Sequence, residues 1–279
     1  MTPEDAVGIA VKLISIGVII DAAEGLWIRQ EFGPSGLFNW QVLRTTHRWM
    51  SRRSATLVLD GVLQYPNYLA LLIVEIICAA VLLGRTSTLL LCIVLAVRLL
   101  SHLRNQYGLD GADQMLVVVL AGCIGWRIAP ESWAKEVCIW FVCLQAILSY
   151  VTAGTAKAIS PVWRSGTAVR DILRTNYVGS RISFQWLSRN SRLSWAACWG
   201  TILFECAMPI LIFCGPKLCL VFLACGVLFH VSIAITVGLN DFPWAFLATY
   251  PFIFLCSVDF AAAIRHGAYW VSTAGKTVR

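Results

Sequence analysis

Charge is scarce in this sequence. Only 13% of its 279 residues are Asp, Glu, Lys or Arg, while 58% are hydrophobic; a soluble domain carries about 25% charged residues. That balance excludes an ordinary water-soluble fold and describes a polytopic membrane protein. Lysine is scarcer still, with five in the whole chain. No C-x-x-C pair occurs: the eleven cysteines lie mostly inside apolar runs, and Cys138/Cys143 and Cys214/Cys219 lack zinc-ligand spacing. They read as small buried residues, and no metal site is expected. The N-terminal stretch "MTPEDAVGIAVKLISIGVIIDAAEGLW" lacks the basic start and small-residue cleavage site of a signal peptide, so it is expected to be a retained first span. Internal repeats and low-complexity segments are also missing. With no repeat symmetry and no paired broken helices, a transporter or channel is the weakest of the function classes.

The formal net charge of +7 does not point to nucleic acid. Most of the arginine lies in short stretches between apolar segments, where headgroup contact and topology explain it.

What the chain does have is long apolar runs. A bilayer core takes about 20 apolar residues per helix, and segments near 7–27, 66–84, 87–103, 112–128, 136–158, 194–214, 217–238 and 243–263 meet that loosely. The expected fold is an all-α membrane bundle of about eight helices forming a single unit over residues 1–279, with both termini on one side. Two connections are long. In the first, about 28–65, Trp40, Val42, Leu43, Trp49 and Met50 alternate with Arg44, His47, Arg48, Arg52 and Arg53. In the second, about 159–193, Arg164, Arg170, Arg174, Arg181, Arg189 and Arg192 lie among Trp163, Trp186 and Trp195. Both patterns predict amphipathic helices lying in the membrane interface.

An ionisable residue at membrane depth is a functional candidate, although such residues also staple helices together. Arg98, His102 and Asn105 recur at i, i+4 and i+7 on the third span, so they share a face, either a polar cavity wall or a snorkelling helix end. Asp113 in "YGLDGADQM" opens the fourth span as a cap, a helix-pairing group or a chemical one. Glu205 in "LFECAMPIL" is near the middle of the sixth span and needs a proton or a cationic partner. His230 is one helix further on, so Glu205 and His230 are expected within reach of each other or of a shared water. Asn240 and Asp241 are placed to cap the eighth span, where Pro243 suits the first turn. Asp21, Glu24 and Glu75 are carboxylates in search of an arginine.

Lys157 raises the sharpest question. In "YVTAGTAKAISPVWRSG" it ends an apolar run that begins near Val137. An ammonium at that depth costs ~3 kcal/mol or more. Either it snorkels to the headgroups, or burial makes its amine usable as a base or nucleophile. Ala153 and Gly154 leave room beside it for another helix or a flat ligand.

The order "GLDGAD", "SYVTAGTAKAISPVWRSG", "FECAMPIL", "FHVSIAITVGLNDFPWAFLATYP" resembles the HTTM family. That family is the membrane portion shared by vitamin K-dependent gamma-glutamyl carboxylase and bacterial proteins that mature a sporulation-delaying peptide toxin. The likeness runs from "FGPSGLF" near residue 32 to the last span, and Tyr-x-x-Ala-Gly-x-x-Lys is its most specific part. It implies that Lys157, in the motif with Tyr150 and Gly154, is the base that deprotonates a reduced, vitamin K-like quinone. Oxygen then converts the quinone to a strong base that takes a proton from glutamate. Two features depart from the carboxylase. "RNQYGLDGAD" stands where it has an Asn-His pair, so its catalytic His has no counterpart unless His102 serves, and these 279 residues leave no room for its large lumenal domain.

The expected function is therefore a membrane enzyme or maturation factor acting on a secreted peptide or a quinone-like lipid, in a bacterial cytoplasmic membrane and with a small companion protein as a partner. Lys157 would be the base, with Glu205, His230, Asp113 and His102 supporting it in one cavity lined by the third to seventh spans. The rival reading is a non-catalytic membrane scaffold for processing or exporting a peptide toxin.

Overall fold

The computed structural model describes residues 1–46, 53–105, 109–175 and 179–277. These residues are predominantly helical, and among them there is no strand. In chain order the helices are α1 (Pro3–Trp27), α2 (Trp40–Leu43), α3 (Arg53–Leu63), α4 (Asn67–Gly84), α5 (Thr88–Arg104), α6 (Gly111–Ile128), α7 (Ser132–Ile159) and α8 (Pro161–Arg164). They continue with α9 (Ala168–Leu173), α10 (Arg181–Arg189), α11 (Ser191–Ala207), α12 (Ile210–Phe213), α13 (Pro216–Val237), α14 (Phe242–Leu247) and α15 (Tyr250–Thr277).

Among the described residues, six stretches are long and apolar enough to cross a membrane: α1, α4, α6, α7, α13 and the α14–α15 stretch Phe242–Ile264. Two of the eight expected spans fall short for identifiable reasons. Helix α5 has 17 residues and ends in the polar run from Arg98 to Arg104. Helix α11, also 17 residues, is interrupted before Pro209, whose ring removes a backbone donor, and α12 follows it. The second long connection holds the short helices α8, α9 and α10, whereas the first holds α2 and α3. His47, Arg48, Trp49, Met50 and Arg52 of the first connection lie outside the described residues.

The core has two parts. The larger joins Val11, Ile14 and Val18 of α1 to Leu116 and Leu120 of α6, Val142 of α7 and Phe252 of α15. The smaller gathers Ala22, Phe32, Trp40, Leu63, Tyr68 and Leu72 at the end of the bundle where α1 finishes and α4 begins. The outer faces are equally apolar: Ile73, Ile77 and Val81 on α4, Leu144 and Leu148 on α7, and Leu228 and Ile235 on α13 are all exposed. Apolar ridges on this scale match a lipid surround, in which burial supplies no driving force and packing and polar contacts hold helices together.

The ends are set by local chemistry. Asp110 caps α6, accepting from the N–H groups of Ala112 and Asp113, while the Asp113 carboxylate accepts the N–H of Asp110 in return. Asp113 is thus the third residue of a capping box and not the cap itself. Gly238, at φ +88°, closes α13 in the left-handed conformation that glycine adopts without strain. The expected side-chain cap on the next helix is absent: Asp241 makes no capping bond, and Asn240 donates to Glu24 Oε1 of α1 at 2.7 Å.

Candidate functional site

The polar residues expected in one cavity occupy two. Both lie at the end of the bundle reached by the C-termini of α1, α5, α7 and α13, and Leu239 of the α13–α14 connection lines both.

The first cavity, about 580 Å³, is built from α1, α4, α5 and α6, and Asp21, Tyr68, Arg98, His102, Asn105 and Asp113 line it. Arg98 is its centre. Fully buried, it donates through Nε and Nη2 to the two Glu75 oxygens at 2.5 and 3.1 Å and pairs through Nη1 with Asp21. Two of the carboxylates that needed an arginine therefore share this one. His102 Nε2 lies 3.5 Å from Asp113 Oδ1, an ionic approach that falls short of a hydrogen bond. Asn105 donates to the Tyr68 hydroxyl at 3.1 Å and accepts from Arg104, whose guanidinium also donates to the Phe38 and Leu63 carbonyls and stacks over the Phe32 and Tyr68 rings. The face predicted for Arg98, His102 and Asn105 is a cavity wall and not a snorkelling end. His102 lines this cavity, whereas Lys157 lines the second one.

Acidity accumulates beside this cavity. Burial pushes the Asp241 carboxyl up to about 7, and the charges of Asp110, Asp21 and Asp113 add to the effect. Asp110 is raised as well, by burial first and then by Asp113.

The second cavity, about 740 Å³, has walls from α7, α11, α13 and α14 and a roof from α8 and α9. This corrects the expected lining by the third to seventh spans: α5 contributes nothing here, and α14 joins. Lys157 Nζ donates to both Glu205 oxygens, at 2.9 and 2.8 Å, and lies 5.3 Å from the Trp163 ring centre. The pair forms because α7 and α11 come unusually close. Gly154 is one turn before Lys157 on the same face, and a Cβ there would lie 2.9 Å from Glu205 Cβ and 2.9 Å from the Cys206 backbone nitrogen. The motif glycine thus delivers the carboxylate to the motif lysine.

Two helical turns along α7, about 10 Å away by the helical rise, Tyr150 forms a second polar group. Its hydroxyl lies 2.5 Å from His230 Nε2 and 3.1 Å from the Tyr250 hydroxyl, all three buried. Phe246 stacks on the His230 ring at 4.6 Å. Glu205 and His230 both line the cavity, yet their polar partners differ: the lysine claims the carboxylate and the tyrosine claims the imidazole. They do not hydrogen-bond to each other, because each has a partner on α7, but they face the same cavity. His230 Nδ1 is buried without a hydrogen-bond partner.

Sequence reasoning missed Tyr250, Phe246 and Gly226. Tyr250 packs so closely on Gly226 of α13 that a Cβ there would overlap the phenol ring. The signal was the aromatic density of "NDFPWAFLATYP" facing a small residue one helix earlier. Among the described residues, no cluster of His, Cys, Asp and Glu could hold a metal ion. No protein-family model matches the chain, and no curated protein or solved structure is significantly similar to it.

Proposed function

We propose that this chain is a membrane-embedded enzyme or maturation factor of HTTM type, with Lys157 as its base, acting on a quinone-like lipid or a secreted peptide. The observation that carries the reading is the placement of Lys157 and Glu205 together on the wall of an otherwise apolar cavity, with Tyr150 and His230 two turns deeper. The eight-span arrangement belongs to the same proposal, with α5 and α11–α12 completing the crossings, as do interfacial positions for the helices of the two long connections and a bacterial cytoplasmic membrane.

The residues fit a reduced quinone. Phe229, Phe242 and Phe246 offer faces to a flat ring, and the two polar groups sit far enough apart to address opposite ring oxygens. When bound, such a group supplies an acidic ring hydroxyl. Lys157 can accept that proton only as the free amine, so the ammonium must first pass its own proton to Glu205. In a low-dielectric wall this exchange turns an ion pair into two neutral groups, and the carboxylate that holds the lysine is also its proton acceptor. Tyr150 and His230 would orient the far side of the ring. A small companion protein would present the peptide.

One observation favours the rival reading. A lysine with both carboxylate oxygens on a neighbouring helix is also how two spans are stapled, and a scaffold for peptide-toxin export would use the pair in that way.

Lys157→Arg separates the two. Arginine keeps the charge and can hold Glu205 with two hydrogen bonds, yet it does not deprotonate in a protein. The measurement is a mass comparison of peptides secreted by cells with and without the chain, repeated for the variant at matched protein level. As a base, Lys157 contributes about 100-fold or more, so the processed product should fall by at least that factor. A variant that retains full product leaves Lys157 as an anchor and the scaffold as the better account.

A further inference from the structure

The stretch from α8 to the first turn of α11 carries six arginines, Arg164, Arg170, Arg174, Arg181, Arg189 and Arg192, against one carboxylate, Asp171. Asp171 is already held by Arg170 at 3.1 Å. The other five side chains are exposed, and no carboxylate among the described residues forms an ion pair with them. Five exposed guanidiniums therefore stand close together in sequence with no acid among the described residues to neutralise them.

Helix α10 shows what they face. Its inner side, Ser183, Phe184 and Leu187, is half-buried where α10 packs on α9 and α11. Its outer side places Ile182 and Trp186 one turn apart, 72% and 70% exposed, between Arg181 and Arg189. Leu193 and Trp195 extend this apolar strip onto the start of α11. A nine-residue helix that turns an isoleucine and an indole outward with arginines at both ends fits only a partner that is apolar at depth and anionic at its surface. A soluble acidic partner would satisfy the guanidiniums and leave the indole without a reason.

We propose that α10 and the start of α11 form a seat for anionic phospholipid headgroups. Ile182 and Trp186 enter the acyl boundary, and Arg181, Arg189 and Arg192 hold the phosphates. The seat bears on the second cavity through packing: α10 rests on α9, and Ile172 and Leu173 of α9 line that cavity. A headgroup on α10 therefore steadies the cavity roof.

The test needs no substrate. The full chain is reconstituted in vesicles of equal phosphatidylcholine and phosphatidylglycerol and extracted in mild detergent, and the lipids retained are counted by native mass spectrometry. The parent should retain phosphatidylglycerol in clear excess over the vesicle ratio, and salt should reduce that excess. The triple variant Arg181→Gln/Arg189→Gln/Arg192→Gln should lose at least about fivefold of it, given the attraction of each surface arginine for an anionic leaflet. A control triple at the opposite end of the bundle, Arg85→Gln/Arg127→Gln/Lys135→Gln, should keep it. The double variant Ile182→Ser/Trp186→Ser should retain fewer lipids in total with the preference for phosphatidylglycerol unchanged. Equal retention of the two lipids by the parent, or equal loss in both triples, would overturn the seat.

Discussion

The two cavities open at the same end of the bundle and share a wall residue, Leu239, but they are built on opposite principles. The first is a closed electrostatic network. Arg98 is divided between Glu75 and Asp21, Arg104 is anchored on two carbonyls and Asn105, and Asn105 in turn binds Tyr68. The second is an aromatic chamber with two separate polar groups, the Lys157–Glu205 pair that joins α7 to α11 and the Tyr150–His230–Tyr250 group that joins α7 to α13 and α15. In a lipid surround, networks of the first kind hold helices that hydrophobicity cannot sort, whereas groups of the second kind are free to exchange a proton with a guest. Under the proposed function, the first cavity is architectural and the second carries the chemistry.

Breaking the network should have the largest effect. Arg98→Ala leaves Glu75, which has no exposure at all, without its counterion. Removing one partner of a buried ion pair costs about 3–5 kcal/mol. The variant is expected to accumulate poorly, and its thermal unfolding in detergent should shift well below that of the parent. Adding Glu75→Gln should restore part of the loss, because a neutral amide needs only hydrogen bonds. If Arg98→Ala is as stable as the parent, the first cavity is not the structural half of the comparison.

A smaller effect is expected at the contact that assembles the second site. In Gly154→Ala the new methyl must fit where Glu205 Cβ and the Cys206 backbone now lie, and overpacking of this kind costs about 1–3 kcal/mol. Helix α11 is the element free to move, since it ends at a proline break. The Lys157–Glu205 distance should lengthen and product formation should fall, even in the fraction that remains folded. A pair of cysteines placed on α7 and α11 would report the separation by crosslinking efficiency. Unchanged crosslinking with unchanged product would mean that Gly154 does not set the pair.

These cases show what was legible in the sequence. Hydropathy and length gave the apolar helices, and the i, i+4, i+7 spacing correctly put Arg98, His102 and Asn105 on one wall. The motif spacing in α7 likewise put Gly154 on the Lys157 face. Pairing between helices was not legible, because it depends on which helices become neighbours. Glu205 went to Lys157 and not to His230 because Gly154 lets α11 approach α7, and nothing local to Glu205 records that. Tyr250 escaped notice for the same reason: its role depends on Gly226, in a different helix. The division into two cavities followed from the α13–α14 connection, a four-residue stretch, Gly238–Asp241, that periodicity does not describe.

That connection supplies the smallest and most selective test. Asp241 is half-buried near Asp110, Asp21 and Asp113, and its carboxyl is pushed up to about 7 from an ordinary value near 3.8. Between those values the folded protein holds a proton that the unfolded chain has released. The unfolded state therefore binds fewer protons, and stability falls as pH rises through the window. The contribution is fully present at the acid end and is lost by the time Asp241 ionises in the folded state. Asp241→Asn cannot ionise. It should match the parent at about pH 3, below the ordinary carboxyl value, exceed it at about pH 8, and show a flatter dependence between them. Unfolding temperatures in detergent at the two pH values measure this directly. If Asp241→Asn leaves the slope unchanged, the carboxylates around Asp241 are not crowded enough to matter. The acidic rim of the first cavity would then be a set of independent, solvated charges, and the contrast between the two cavities would rest on Arg98 alone.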